Sequence, residues 1–150
     1  MDTKSILQSV ELLNGLTEDQ IDMLVPATTL IEMNKDAALF NVGQEANNLY
    51  ILLEGKISIQ VKLTSRPETV GIVVLQNPGQ LVGWSGLIGG SYYTAKALCQ
   101  EDCKLMQIQG DAFMQVLESD TCAGFEVMRE IAKVISNRMR NLQSVVLKTL

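Results

Sequence analysis

The sequence predicts a mainly β domain with flanking helices: an eight-stranded antiparallel β-barrel or jelly roll (double-stranded β-helix), short N-terminal helices and a long C-terminal helix. Three observations predict it. Between Thr28 and Gln109, β-branched clusters alternate with glycine and polar turns, and no ten-residue helical pattern intervenes, which argues against βαβ units. On either side of that region the apolar spacing changes to steps of three and four. The chain has 150 residues, enough for one domain to bury a substantial core without disulfides or metals. The expected division is one domain over 1–150, with N-terminal helices in 1–27, the β-barrel in 28–109 and C-terminal helices in 110–150.

The elements follow in order. Ile6, Val10 and Leu13 sit near helical spacing over Ser5 to Leu13, and Asn14-Gly15 supplies a stop. In "LTEDQIDMLV", Thr17 as N-cap, acids in the first turn and Gln20 three residues on make a capping box for a second short helix. The strand-like segments are "TTLIEM", "AALF", "NLYILLEG", "KISIQVKL", "TVGIVVL", "QLVG", "YYTAKAL" and "CKLMQIQ". "YILLEGKISIQV" reads as a hairpin turning at Glu54-Gly55, with Ile57, Ile59 and Val61 inward and Lys56, Ser58, Gln60 and Lys62 outward. Ser65 to Glu68 reads as an exposed hairpin tip.

Beyond Gln109 the helical period returns. "DAFMQVLES" is a helix capped by Asp111, and a longer one runs from about Thr121 to Leu147. In it Phe125, Met128, Ala132, Ile135, Met139, Leu142 and Val146 form an a/d seam beside a second stripe of Val127, Ile131 and Val134. Two stripes imply two partners: the barrel, and most simply the same helix of a second copy, a homodimer through the 123–147 helix.

Charge and composition narrow the function. Residues 1–120 are acidic, whereas 121–150 carry Arg129, Lys133, Arg138, Arg140 and Lys148 against Glu126 and Glu130 only. An acidic body repels a nucleic-acid backbone, so direct nucleic-acid binding is not expected. Apolar runs such as Gly71 to Leu75 are far below the roughly 18–20 residues of a membrane span. The N-terminus does not read as a secretion signal. Cys99, Cys103 and Cys122 form an odd set that suits a reducing compartment, so the expected location is cytoplasmic. The chain has no histidine, which removes Ser/His/Asp, Cys/His and HExxH catalysis and histidine-ligated haem; no metal site and no enzyme are expected.

The order of parts and particular residues resemble the cyclic nucleotide-binding domain family, the domain of catabolite activator protein-like sensors. "LFNVGQEANNLYILLEGKISI" is similar to the family's early-barrel signature, with Gly43 and Gly55 at its two turn glycines. "NPGQLVG" resembles the turn into the phosphate-binding cassette, and the likeness runs from about Leu13 to Arg140. The resemblance implies a regulatory sensor with a cyclic nucleotide or other small-molecule effector, whose cassette occupancy shifts the C-terminal helix. In that family the cassette reads approximately F-G-E-L-A-L, then R-A-A-T-V-x-A; its glutamate takes a ribose hydroxyl and its arginine the cyclic phosphate. Here Gly83, Leu87, Thr94 and Ala97 match, but Trp84 stands in the glutamate's place and Ser91 in the arginine's. No arginine occurs between Arg66 and Arg129, so the loss survives any small shift of alignment.

The candidate binding residues are therefore Gly83, Trp84, Ser85, Gly86, Leu87, Ser91, Tyr92, Tyr93, Thr94 and Lys96. Trp84 is suited either to stack on a ligand ring or to fill the pocket with its own bulk. Tyr92 and Tyr93 alternate along one strand, so one of them faces the pocket. Ser85, Ser91 and Thr94 offer hydroxyl hydrogen bonds, and Lys96 is the one cation in the stretch. Three readings stand: a sensor without the usual nucleotide charges; a ligand-free dimerisation or protein-interaction module; and a conventional binder using Lys96 and backbone amides. A DNA-binding winged helix follows the long helix in transcription factors of this kind. Here the sequence stops at Leu150, so no DNA-binding domain is expected, DNA recognition would require a partner, and a protein partner carrying the output is one expectation.

Overall fold

A computed structural model describes residues 2–62 and 69–149. Eight strands form two four-stranded antiparallel sheets, and the helices cover the outer face of one of them. The first sheet has the order β1 (Thr28–Met33), β8 (Cys103–Gln109), β3 (Asn48–Glu54), β6 (Leu81–Val82). The second has β2 (Ala38–Phe40), β7 (Lys96–Cys99), β4 (Ile57–Lys62), β5 (Thr69–Leu75). This is the jelly-roll form of the expected fold, two facing sheets and not a closed barrel.

The continuous apolar run of β3 explains the layering. Tyr50 and Leu52 point between the sheets, where they meet Phe40, Ile57, Val82 and Leu105. Leu49 and Ile51 point the other way, onto Leu7, Leu24, Phe113 and Val127 of the helices. A strand buried on both faces reads as unbroken hydrophobicity. Each such fully buried leucine or isoleucine contributes about 1.5–3 kcal/mol relative to exposure.

Gly55 does not close a hairpin. β3 pairs with β6 and β8, whereas β4 pairs with β5 and β7, so the Glu54-Gly55 turn carries the chain from one sheet to the other. The glycine is needed for a different reason: φ is +110°, and a Cβ would stand 2.6 Å from the Asp102 carbonyl oxygen and from Cys103 Sγ. In β4 the expected alternation of burial does not hold. Ser58, expected outward, is 4 % exposed, and Val61 is only half-buried. The expected tip at Ser65 to Glu68 lies outside the described residues. "YYTAKAL" becomes a strand only from Lys96; Tyr92 makes an isolated bridge with Glu45.

The helices depart from expectation at their ends. α1 spans Thr3–Ser9, after which Val10 turns extended and a 3-10 turn, Glu11–Leu13, brings Leu13 into the core beside Leu7 and Val10. α2 (Glu18–Leu24) has the predicted capping box, and the buried Gln20 amide also donates to the Val116 carbonyl at 2.8 Å. α3 (Gly110–Ser119) begins one residue before Asp111, with Gln109 as N-cap and no side-chain cap.

α4 spans Thr121–Thr149. Gly124, Val127, Ile131 and Arg138 turn inward and are buried. Phe125 and Met139 of the expected seam are 64 % and 59 % exposed, on the outer side. Ile135 departs from that seam, because it packs in part against the helical core with Val134. Among the described residues no helix is long and apolar enough to cross a membrane.

Candidate functional site

The site is built on the chain between β6 and β7. Gly83 leaves β6 with φ +76° and ψ +57°, a left-handed conformation that glycine adopts without strain, and starts the 3-10 turn Trp84–Leu87. A Cβ on Gly83 would stand 2.8 Å from the Phe40 ring and 3.2 Å from that of Tyr93. The next glycine fixes the depth of the turn, since a Cβ on Gly86 would meet the Asn48 carbonyl oxygen at 2.2 Å. The Gly86 carbonyl in turn sits where a side chain on Gly110 would be, 1.6 Å from its Cβ position. The cassette turn, the start of β3 and the start of α3 are thus packed backbone to backbone. Leu87 is buried with the helices.

Beyond the turn, Ser91 holds the returning chain through its backbone, its N–H donating to Ile88 and its carbonyl accepting from Ala46 at 2.9 Å. Tyr92 is 61 % exposed and Tyr93 is 3 % exposed, so the two alternate as expected although no continuous strand holds them. The Tyr93 ring stacks on Phe40 with centroids 3.8 Å apart and planes 11° from parallel. Its hydroxyl donates to the Asn48 carbonyl. Burial, followed by the neighbouring Tyr50, pushes the Tyr93 phenol well above its ordinary pKa, so it stays a neutral donor.

Phe40, Tyr93, Trp84 and Ser85, with exposed Thr94 and the inward Arg138, wall a cavity of only about 30 Å³. That volume suits one or two waters, against roughly 300 Å³ or more for small-molecule sites. Gly86, Leu87 and Ser91 lie outside these walls, as does Lys96, which is half-buried at the start of β7 opposite Gln60.

Arg138 is the residue that sequence reasoning missed. It is 9 % exposed, one guanidinium N–H donates to the Leu81 carbonyl, and its carbon Cζ lies 5.1 Å from the centre of the Trp84 ring. That distance is within cation–π range. Burial pulls its pKa down from 12.5 to about 10, leaving it charged at neutral pH. The signal was present in the sequence: the inner stripe Val127, Ile131, Val134 continues in steps of four and three, and the next step of four lands on Arg138.

Among the described residues no group of three or more Cys, Asp or Glu is placed to hold a metal. Cys99 and Cys103 are buried close to one another, and burial followed by the Cys103 neighbour pushes the Cys99 thiol up to about 12. A thiol so raised is a poor nucleophile at neutral pH.

Comparison with known proteins agrees with this geometry. The family model described as "Cyclic nucleotide-binding domain" matches residues 30–120, more than half of the chain. Among solved structures, a cyclic nucleotide-binding domain from Methylobacillus flagellatus is 18 % identical, with 98 % of this chain and 85 % of that one covered and a TM-score of 0.80. The regulatory domain of Toxoplasma gondii PKA, solved with cAMP, is 18 % identical over 87 % of this chain and 48 % of that one, TM-score 0.73. The regulatory subunit of a cAMP-independent protein kinase A from Trypanosoma brucei is 17 % identical over 86 % of this chain and 45 % of that one, TM-score 0.72. No protein of curated function matches the sequence. From the cassette between β6 and β7, the two facing sheets and the matched family model, the chain belongs to the cyclic nucleotide-binding domain family.

Proposed function

We propose that this chain is a regulatory, non-enzymatic sensor module whose cassette does not take cyclic AMP in the usual way. The observation that carries the reading is a cassette cavity of about 30 Å³ whose walls contain neither a carboxylate nor a cassette arginine. Trp84 and Ser91 occupy the positions where the family places its glutamate and arginine, and Lys96 is not among the walls. Removing one partner of a desolvated ion pair costs several kcal/mol, equivalent to orders of magnitude in affinity. Fold likeness does not decide the matter, since the similar structures include one solved with cAMP and one described as cAMP-independent.

Calorimetric titration with cyclic AMP and cyclic GMP tests the reading. The expected result is no binding tighter than about 0.1 mM. Micromolar binding of either nucleotide would restore the conventional reading through Lys96 and backbone amides.

The stacked Phe40 and Tyr93 rings, closed over by Trp84, favour a second reading, in which the module is a ligand-free scaffold for dimerisation or for a protein partner. In either case the output runs through α4, because Arg138 ties that helix to Leu81 and Trp84 at the two ends of the glycine turn. The outer face of α4, with Phe125, Met128 and Met139 exposed, is the surface for a second copy. The double variant Met128→Glu, Met139→Glu touches no core residue and is expected to convert a dimer to a monomer in light scattering. A wild-type chain that scatters as a monomer at high concentration removes the dimer from the proposal.

A further inference from the structure

A second cavity, of about 660 Å³, lies outside the cassette, between α4, the 3-10 turn after α1, and the β5 to β6 connection. Its size is that of a small-molecule site. The partly buried Leu12, Leu53 and Val73 give it an apolar side, and Asn137 and Asn141 of α4 line the opposite rim. Arg138 belongs to its wall as well, and so stands between this groove and the cassette cavity.

The guanidinium is the unexplained feature. It carries five N–H donors, of which one is used on the Leu81 carbonyl, and among the described residues its remaining nitrogens are not sealed from solvent, so they are open to a ligand. Among the described residues no carboxylate lies within the 4.0 Å of an ion pair with it. Of the acids lining the groove, Glu130 is bound to Lys133 at 3.0 Å, and Glu11 is exposed on the 3-10 turn. A buried charge without a counter-charge is costly, and groups held in that state concentrate at functional sites.

We propose that this groove binds a small amphipathic carboxylate, with its headgroup on the Arg138 fork and its short hydrocarbon chain along Leu12, Leu53 and Val73. A planar guanidinium accepts a carboxylate in bidentate fashion. A single uncommitted cation matches one negative charge, since Lys133 is already neutralised. The apolar side offers nothing to a second polar end. Because the guanidinium also faces the Trp84 ring, occupancy of the groove changes the surroundings of the cassette turn. Apart from Arg138 the groove shares no wall residue with the cassette cavity, so the inference goes beyond the reading above and fails separately from it. Cyclic AMP binding overturns that reading and leaves this one standing; silence toward the carboxylate does the reverse.

Sodium octanoate is the test ligand, titrated against the intact chain and followed by calorimetry and by emission from Trp84, the single tryptophan. A saturable response with a Kd of about 1 mM or tighter is expected, with none from octan-1-ol at the same concentration. Asn141→Glu changes an exposed residue of the same rim and places a carboxylate three positions beyond Arg138, within side-chain reach on a helix. It is expected to weaken octanoate at least about tenfold while the circular dichroism melt stays as in wild type. Arg138→Gln is expected to abolish the response. No saturable signal from wild type overturns the proposal, as does an equal response to octan-1-ol, or an undiminished response in Asn141→Glu or in folded Arg138→Gln. Inorganic phosphate binding as tightly as octanoate would overturn the amphipathic assignment.

Discussion

Gly110→Ala is expected to cost about 4 kcal/mol or more and to leave no cooperative unfolding transition near that of wild type. The new Cβ would fall 1.6 Å from the Gly86 carbonyl oxygen and 2.7 Å from its carbon. Ordinary contacts of this kind need well over 3 Å, so the backbones must separate by more than an ångström. Neither can do so locally. The Gly86 Cα faces the Asn48 backbone at the start of β3, and the Gly110 N–H donates to Asn47 at 2.9 Å. Overpacking a flexible side chain costs about 1–3 kcal/mol, and a rigid backbone on both sides lies at the upper end or beyond. Total stability of a domain is only about 5–15 kcal/mol. Urea denaturation measures the effect, and Gly43→Ala is the control. Gly43 has positive φ but nothing within 4 Å, so only conformational strain of about 1–2 kcal/mol is expected there. A Gly110→Ala midpoint equal to that of Gly43→Ala would show that the three-way backbone contact is looser than described.

Arg138→Met is expected to act in the opposite direction, stabilising the chain by about 1–2 kcal/mol and raising the melting temperature by about 3–6 °C. Methionine keeps the unbranched stem and its packing but removes the desolvated charge. What is lost is the Leu81 hydrogen bond and the contact with Trp84, each worth roughly 1 kcal/mol. What is gained is relief from burying a cation that meets no carboxylate among the described residues. The sign follows from linkage. The folded pKa, about 10, lies below the ordinary 12.5, so the unfolded chain holds the proton more tightly. The charge therefore destabilises the fold at every pH below about 10, and the penalty fades only as pH rises above that toward the ordinary guanidinium value. At neutral pH the substitution removes it outright. Thermal melts of the two proteins side by side decide the point, and a fall in melting temperature would mean that the guanidinium contributes more through its contacts than burial takes away. A gain in stability would fit a residue kept for binding, because a fold selected for stability alone has no reason to bury it.

The fold was legible where local chemistry and long-range packing agree. "TTLIEM", "TVGIVVL" and "CKLMQIQ" coincide with β1, β5 and β8 residue for residue, and the capping box at Thr17 starts α2 as read. The hairpin at Glu54-Gly55 was misread because a glycine turn between apolar runs has the same local signature whether the next strand folds back or crosses to the facing sheet. Only the partners of β3, buried on both faces, decide that. Lys96 and the tyrosines were placed on one strand by sequence, but the chain enters β7 only after Ala95, so the alternation that holds for Tyr92 and Tyr93 does not carry through to Lys96. In the candidate site, the sequence itself showed that no arginine occurs between Arg66 and Arg129. The side chains that fill the space come from Phe40, 44 residues before Trp84, and Arg138, 54 residues after it, and no local pattern joins those positions to Trp84.

One further consequence comes from the register of β1 on β8, in which Thr28 lies opposite Ile108 and Met33 opposite Cys103. During synthesis the amino-terminal third of the chain leaves the ribosome long before its partner strand exists, and β3 waits for the same strand. Closing so long a loop is entropically costly and slow. Assembly of the first sheet, and of the helical layer that lies on it, is therefore held back until translation has passed Gln109.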